Sequence, residues 1–306
     1  MLYTSTRNLK DTFTAYRALN EEAAPDGGMY VPYRMPVLSA EDLAALKKQS
    51  VFEAVADVLN LFFSARITDA EVESFTDKFA FSFRKIPQNV IFVELWHTAD
   101  GSGDYLVKNL YQMLTEKREL PKGWAYIAIK IALLFGIYVE IHKMHREFDI
   151  AIPADDFADL TAVLYAKDMG LPINRIVCSC GENGVVWDLV NKGEFGINQA
   201  PLYLECFLHK YVGDEGVNAY LDACAQKRTY QLDETIAEQI SGVLYAAVVS
   251  SGRIDTVVSS MYRANGYAID CDTAFAYGGL QDYQASTGAN KQTLIISAKR
   301  PERIKE

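Results

Sequence analysis

This chain is poor in the residues that nucleic-acid and metal proteins draw on. It has four histidines, and its 30 lysines and arginines are outnumbered by 40 aspartates and glutamates. A net charge of −10 leaves no basic face for a phosphate backbone, which excludes nucleic acid as a partner. Cysteine is sparse too: five, an odd number, fit reduced thiols in a cytoplasm better than a disulfide framework. There is no internal repeat and no low-complexity tract. No secretory signal is expected, because Met1-Leu2-Tyr3 leads into polar residues rather than an apolar stretch. The most hydrophobic run, residues 125–141, contains Lys130 and Glu140. It falls short of the ~20 apolar residues that cross a bilayer, so it reads as a buried helix and a membrane is excluded as a partner.

What is present is material for a core. Half of the 306 residues are hydrophobic and 12% are aromatic, enough for two domains or for one large α/β domain with an appendage. Asp11 can cap a helix over 11–24, Ser39 one over 39–49 and Ser50 one over 50–63. Thr68 with Glu71 forms a capping box for a helix ending near Phe81. Val90-Ile91-Phe92-Val93 is a short buried strand. Helices over 105–117 and 124–146 follow, then a strand at 150–152, a helix over 156–169 stopped by Gly170, a strand at 175–178 and a helix over 183–192. Three more helices fall between 202 and 265, one over 273–285, and Thr293-Leu294-Ile295-Ile296 is a strand. Strands separated by helices imply a parallel sheet covered on both faces.

Several motifs resemble the threonine synthase family. Tyr3-Thr4-Ser5-Thr6-Arg7-Asn8 and Ala24-Pro25-Asp26-Gly27-Gly28-Met29-Tyr30-Val31-Pro32 match its YxSTR strand and APDGGLYVP turn. Val93-Glu94-Leu95-Trp96-His97 is similar to ELFHGPTLAFKD, whose lysine forms the Schiff base with pyridoxal phosphate. Counted without gaps, Asp104 takes that lysine's place, and an aspartate cannot form an imine. Gly101-Ser102-Gly103-Asp104 is alternatively a relic of the family's SGDTG substrate loop; neither alignment supplies a lysine, and Lys108 is the nearest.

The resemblance resumes where Ile152-Pro153-Ala154-Asp155-Asp156-Phe157-Ala158-Asp159, followed by Tyr165-Ala166-Lys167-Asp168-Met169-Gly170-Leu171-Pro172-Ile173, parallels VPTGNFGNxxAGxxAKxMGLPI. The first half of that motif is the family's cofactor-phosphate cradle, where glycines admit backbone N–H groups to the anion. Here Asp155 and Ala158 replace its glycines, and Asp156 and Asp159 its asparagines. At ~5 Å and an effective dielectric near 20, each carboxylate would oppose a phosphate charge by about 3 kcal/mol. The blander reading gives Asp155 or Asp156 the work of capping the next helix. Similar stretches run from Leu171-Pro172-Ile173 through Gly181-Glu182-Asn183-Gly184 to Lys192-Gly193-Glu194-Phe195, and from Tyr262 to Ala274. Thr273 is kept beside the family's cofactor ring, while Asp272 stands where a histidine would be. Between the lysine motif and the helix opening at Trp124 the family inserts a small domain, which is missing near 105–121.

The resemblance implies an α/β fold: a three-layer, mostly parallel sheet flanked by helices, the large domain of a fold-type II pyridoxal phosphate enzyme, with a mainly helical N-terminal extension. Residues 1–96 form the threonine synthase-like N-terminal domain and 97–306 the large domain. No cofactor is expected, since the lysine and the cradle for pyridoxal phosphate are lost. The function implied is that of a pseudoenzyme acting by binding or as an assembly subunit. Loss of the small domain exposes the former cleft, which implies a homodimer through it or a protein partner. The rival reading is an enzyme or an amino-acid-binding protein with a residual cleft lined by His97, Asp104, Asp156, Asn183 and Thr273.

Other constellations carry less. His142 and His145, near Glu140 and Glu147, read as a solvated helix end more than as metal ligands, and no metal is expected. Cys178-Ser179-Cys180 reads as buried strand-end thiols, with a Cys180–His97 nucleophilic pair left open. Gly101-Ser102-Gly103 reads as a flexible connection in place of the lost domain.

Overall fold

Side-chain alternation along four strands sorts the core into two layers. Ile91, Val93, Ile150, Ile152, Ile176, Cys178 and Leu294 pack into one apolar cluster, and their neighbours Val90, Phe92, Ala151, Val177 and Ile295 into another. Successive strand residues face opposite sides of a sheet, so a sheet with helices on both faces is required. The computed structural model describes residues 1–76, 81–141, 147–154, 156–182, 184–196 and 203–301.

In chain order the elements are β1 (Leu2–Ser5), β2 (Asn8–Thr14), α1 (Ala15–Asn20), β3 (Tyr30–Pro32), α2 (Ala40–Leu46), α3 (Val51–Phe63) and α4 (Asp69–Phe75). Then come β4 (Ser82–Ile86), β5 (Val90–Glu94), α5 (Asp104–Thr115), α6 (Gly123–Ile141), β6 (Phe148–Pro153), α7 (Ala158–Asp168), β7 (Ile173–Cys180) and α8 (Val185–Lys192). The remainder is β8 (Glu194–Phe195), α9 (Leu204–Ala225), β9 (Tyr230–Gln231), α10 (Glu234–Val243), β10 (Leu244–Val248), α11 (Ser251–Asn265), α12 (Cys271–Thr287) and β11 (Thr293–Ser297). The main sheet runs β10-β7-β6-β11-β5-β4, parallel except for the antiparallel edge strand β4. One face carries α6 and α7, the other α11 and α12.

Capping chemistry sets the helix starts. Ser39, Ser50 and Thr68 each form a full capping box, with Asp42, Glu53 and Glu71 as the reciprocal partners. Helix α6 is apolar all round because it is surrounded: Trp124, Ile127, Ala128, Ile131, Ala132 and Phe135 are wholly buried. Its length and hydropathy would suit a bilayer, but 78% of its apolar window is buried within the protein.

The extension differs from expectation. Residues 8–14 form β2, paired with β1 in a small antiparallel sheet ordered β2-β1-β3, and Thr14, not Asp11, caps the short helix α1. The β-branched and aromatic run Thr12-Phe13-Thr14 prefers the strand. Arg7 Nη2 lies 2.9 Å from Glu205 Oε2, Thr6 also donates to Glu205, and Asn218 donates to the Arg7 carbonyl at 2.9 Å. The opening motif thus fastens this sheet to α9. Gly28 is fixed by close approach, since a Cβ there would stand 2.2 Å from Ser5 Oγ. Strands β4 and β5 fall inside the 1–96 segment yet belong to the main sheet, through the β11–β5 pairing.

Candidate functional site

Parallel strands β5, β6 and β11 end on the same edge of the sheet, and that carboxyl edge is where open α/β sheets hold ligands. A cavity of about 120 Å3 lies there. Helical spacing delivers its walls. Lys130, Leu133, Leu134 and Ile137 come from one face of α6, Asp159, Ala162 and Val163 from one face of α7, and Asp104 and Val107 from the first turn of α5. Leu95, Ile152, Ile296 and Ala298 close the floor at the strand ends, and Asp272 stands at the start of α12.

The charged groups of this cleft are largely matched to one another. Lys130 Nζ donates to Asp159 and sits 4.7 Å from the centre of the Tyr126 ring. Burial works to lower the Lys130 pKa, but the charge of Asp159 and the Tyr126 hydroxyl outweigh it, so the ammonium is held well above its ordinary range. Asp272 pairs with Lys299 at 2.6 Å on the exposed rim. Among the described residues Asp104 has no hydrogen-bond or ion-pair partner, and its charge is felt by Tyr126 and Lys299.

The start of α7 is closed by the chain itself. Asp156 Oδ1 accepts the Ala158 N–H at 2.9 Å, so a carboxylate stands beside the α7 N-terminus, where a phosphate would meet it as a like charge. Phe157 holds a left-handed backbone (φ 64°) and is wholly buried against Phe207, which makes this turn part of the core. Asp155, the other acid of the expected cradle, lies outside the described residues, while Ala158 is the first residue of α7 and Asp159 faces Lys130.

The remaining expected site residues do not converge on the cleft. His97 Nε2 lies 2.6 Å from Glu94 Oε2, and its ring stacks on Trp96 at 3.9 Å. Burial opposes ionisation of Glu94, but hydrogen bonds from His97, Tyr267 and Ser82 prevail and hold its carboxyl below the ordinary value. Thr273 is buried, its hydroxyl bound to the α12 cap Asp270 and, at 3.1 Å, to Ser297 Oγ, at the start of the helix. Asn183, His142 and His145 lie outside the described residues. Cys180 Sγ points at the Ala247 carbonyl of β10, 3.5 Å away. Strands β7 and β5 are separated by β6 and β11, about 14 Å across, which corrects the pairing of Cys180 with His97.

Two further expectations need correction. Gly101-Ser102-Gly103 is no loose connection: Asp100 Oδ1 accepts the Ser102 N–H at 2.9 Å, Gly103 N–H bonds the Ala298 carbonyl at 2.7 Å and Arg300 N–H the Gly101 carbonyl at 3.0 Å. The lysine nearest the chemistry is Lys130, not Lys108, which is exposed on α5. Its signal in the sequence was a charge set within an apolar run, since a charge inside a buried helix needs a partner.

These residues do not fit an imine-bound, phosphate-bearing cofactor. The α7 N-terminus is self-capped, Asp104 cannot form an imine, and the Lys130 amine is kept protonated by Asp159.

The architecture is that of the fold-type II pyridoxal phosphate enzymes, an α/β fold with a mixed, mostly parallel sheet. Within that class the similarity is to threonine synthases. Residues 2–79 match the family described as threonine synthase N terminus. "Threonine synthase-like 1" of Homo sapiens is 25% identical over 144 residues, 42% of this chain and 19% of that protein. "Threonine synthase-like 2" of Xenopus laevis is 24% identical over 204 residues, 58% of this chain and 43% of that protein. The chain thus spans under half the length of these relatives. The pyridoxal phosphate-bound threonine synthase of Brucella melitensis superposes with a TM-score of 0.85 at 16% identity, covering 98% of this chain and 89% of that one. Yeast threonine synthase gives the same TM-score, 0.85, at 16% identity, covering 98% and 87%.

Proposed function

We propose that this chain is a threonine synthase-like protein without catalytic activity, a pseudoenzyme that acts by binding or as a subunit of an assembly. The observation that carries this reading is the exchange of ligand-binding groups for internal ones. Asp156 bonds the first N–H of α7, and Asp159 holds the only lysine among the described cavity-lining residues. Threonine synthase activity releases phosphate from O-phosphohomoserine through pyridoxal phosphate chemistry, and the one lysine among the described cavity-lining residues is engaged by Asp159. Incubating the full chain with O-phosphohomoserine and pyridoxal phosphate is expected to release phosphate no faster than the protein-free blank. Turnover above the blank overturns the reading.

A cytoplasmic setting goes with this proposal, since the buried Cys178 and Cys206 read as reduced thiols. So does self-association through the face left uncovered beside α5 and α6. The large exposed apolar side chains among the described residues do not line the cleft, so lost coverage alone supports that dimer. The second reading, a cleft that binds a small molecule, is favoured by the apolar cavity, although the residues expected to line it (His97, Asp104, Asp156 and Thr273) are not gathered there apart from Asp104.

A further inference from the structure

Asp104 is the one charged group in the cleft left without a direct partner among the described residues. Of the four charged side chains that line the cavity, Lys130 is matched by Asp159 and Asp272 by Lys299. With Lys130 and Lys299 each set against a carboxylate, the one unmatched charge is the negative charge of Asp104. The rest of the lining is largely hydrocarbon: Leu95, Val107, Leu133, Leu134 and Ile137. A carboxylate at the edge of an apolar slot favours a ligand with one positive head and an apolar body, and it repels anions. Helix α5 orients the carboxylate, since Asp104 is its first residue and Val107 comes one turn later on the same face.

We propose that this cleft binds a small primary amine with a branched or cyclic hydrocarbon body, its ammonium on Asp104 and its body between Val107, Leu134 and Ile137. This deepens the proposed function by naming a ligand class for a cleft that has lost its cofactor chemistry. A neutral alcohol of the same shape gains only the apolar contacts, and an acid of the same shape meets Asp104 as a like charge.

The test is isothermal calorimetry of the full chain with isoamylamine and cyclohexylamine, with isoamyl alcohol and isovalerate as shape-matched controls. Saturable binding of an amine is expected, at least tenfold tighter than the alcohol, with no binding of isovalerate. Asp104→Asn should weaken the amine at least tenfold and leave the alcohol unchanged. A thermal melt equal to that of the parent protein shows that this variant is folded. Val107→Trp, which fills the slot, should abolish binding of amine and alcohol alike. Equal binding of amine and alcohol, an Asp104→Asn variant that binds as the parent does, or no saturable heat at all would each overturn the proposal. None of these outcomes touches the reading of a non-catalytic protein, which fails only on phosphate release or on an imine formed with pyridoxal phosphate.

Discussion

Lys130 and Asp159 form a pair whose two halves are unequally sheltered. The lysine side chain keeps 20% of its surface exposed and the aspartate 41%. Removing the carboxylate strands an ammonium among leucines and isoleucines, whereas removing the ammonium leaves a carboxylate that water can reach. Asp159→Asn is therefore expected to destabilise the fold by about 2 kcal/mol, and Lys130→Met by less than about 1 kcal/mol, in urea titrations. Equal losses would contradict the assigned geometry. At this scale legibility was uneven. Asp104 and Asp159 were marked by their places in degenerate motifs, and both line the cavity. Lys130 was visible as a charge within an apolar run, but its partner lies 29 residues on, across a helix packing that local pattern does not encode. His97 and Thr273 were marked by the same motifs, yet each is engaged by a neighbour, Glu94 and Asp270, that the fold supplies.

Helix α7 is the element where the family pattern and this chain diverge most. The first of its N-terminal amides, that of Ala158, is bonded by Asp156 three residues beyond the end of β6. Asp156→Ala removes the acceptor for the Ala158 N–H and should cost about 1 kcal/mol in thermal unfolding, with Asp156→Asn close to the parent because an amide oxygen also caps. Loss of less than about 0.3 kcal/mol in the alanine variant would show that the carboxylate is not needed there. Element positions were well marked wherever a cap or a β-branched run fixed them. The helix over 51–63 begins right after Ser50, and β11 at Thr293, as their patterns indicate. Strands β2, β4 and β10 were not legible. They are short edge segments, partly exposed along β2 and β4, and only pairing with β1, β5 and β7 makes them strands.

At the scale of the whole molecule, the sheet order and the two-layer core match the fold of the threonine synthase structures, while α5 passes to α6 through residues 116–122 alone. The fold was legible because alternating strand and helix patterns admit few topologies. The assembly was not, since surfaces carry weak patterns. If the face beside α5 and α6 is shared between two copies, sedimentation of the full chain at micromolar concentration should give twice the 34.2 kDa chain mass. A monomer would retire that dimer and leave the small-ligand cleft standing.

One measurement directly tests the proposal that this threonine synthase-like fold persists without pyridoxal phosphate chemistry. The full chain is titrated with pyridoxal phosphate, reduced with borohydride, digested and mapped by mass spectrometry. The account predicts no saturable imine absorption and no phosphopyridoxyl adduct at Lys130, with surface lysines labelled only sparsely and non-saturably. A stoichiometric adduct fixed on Lys130 would contradict it. That result would mean Asp159 yields the lysine, and that the cofactor keeps a relocated place in the cleft.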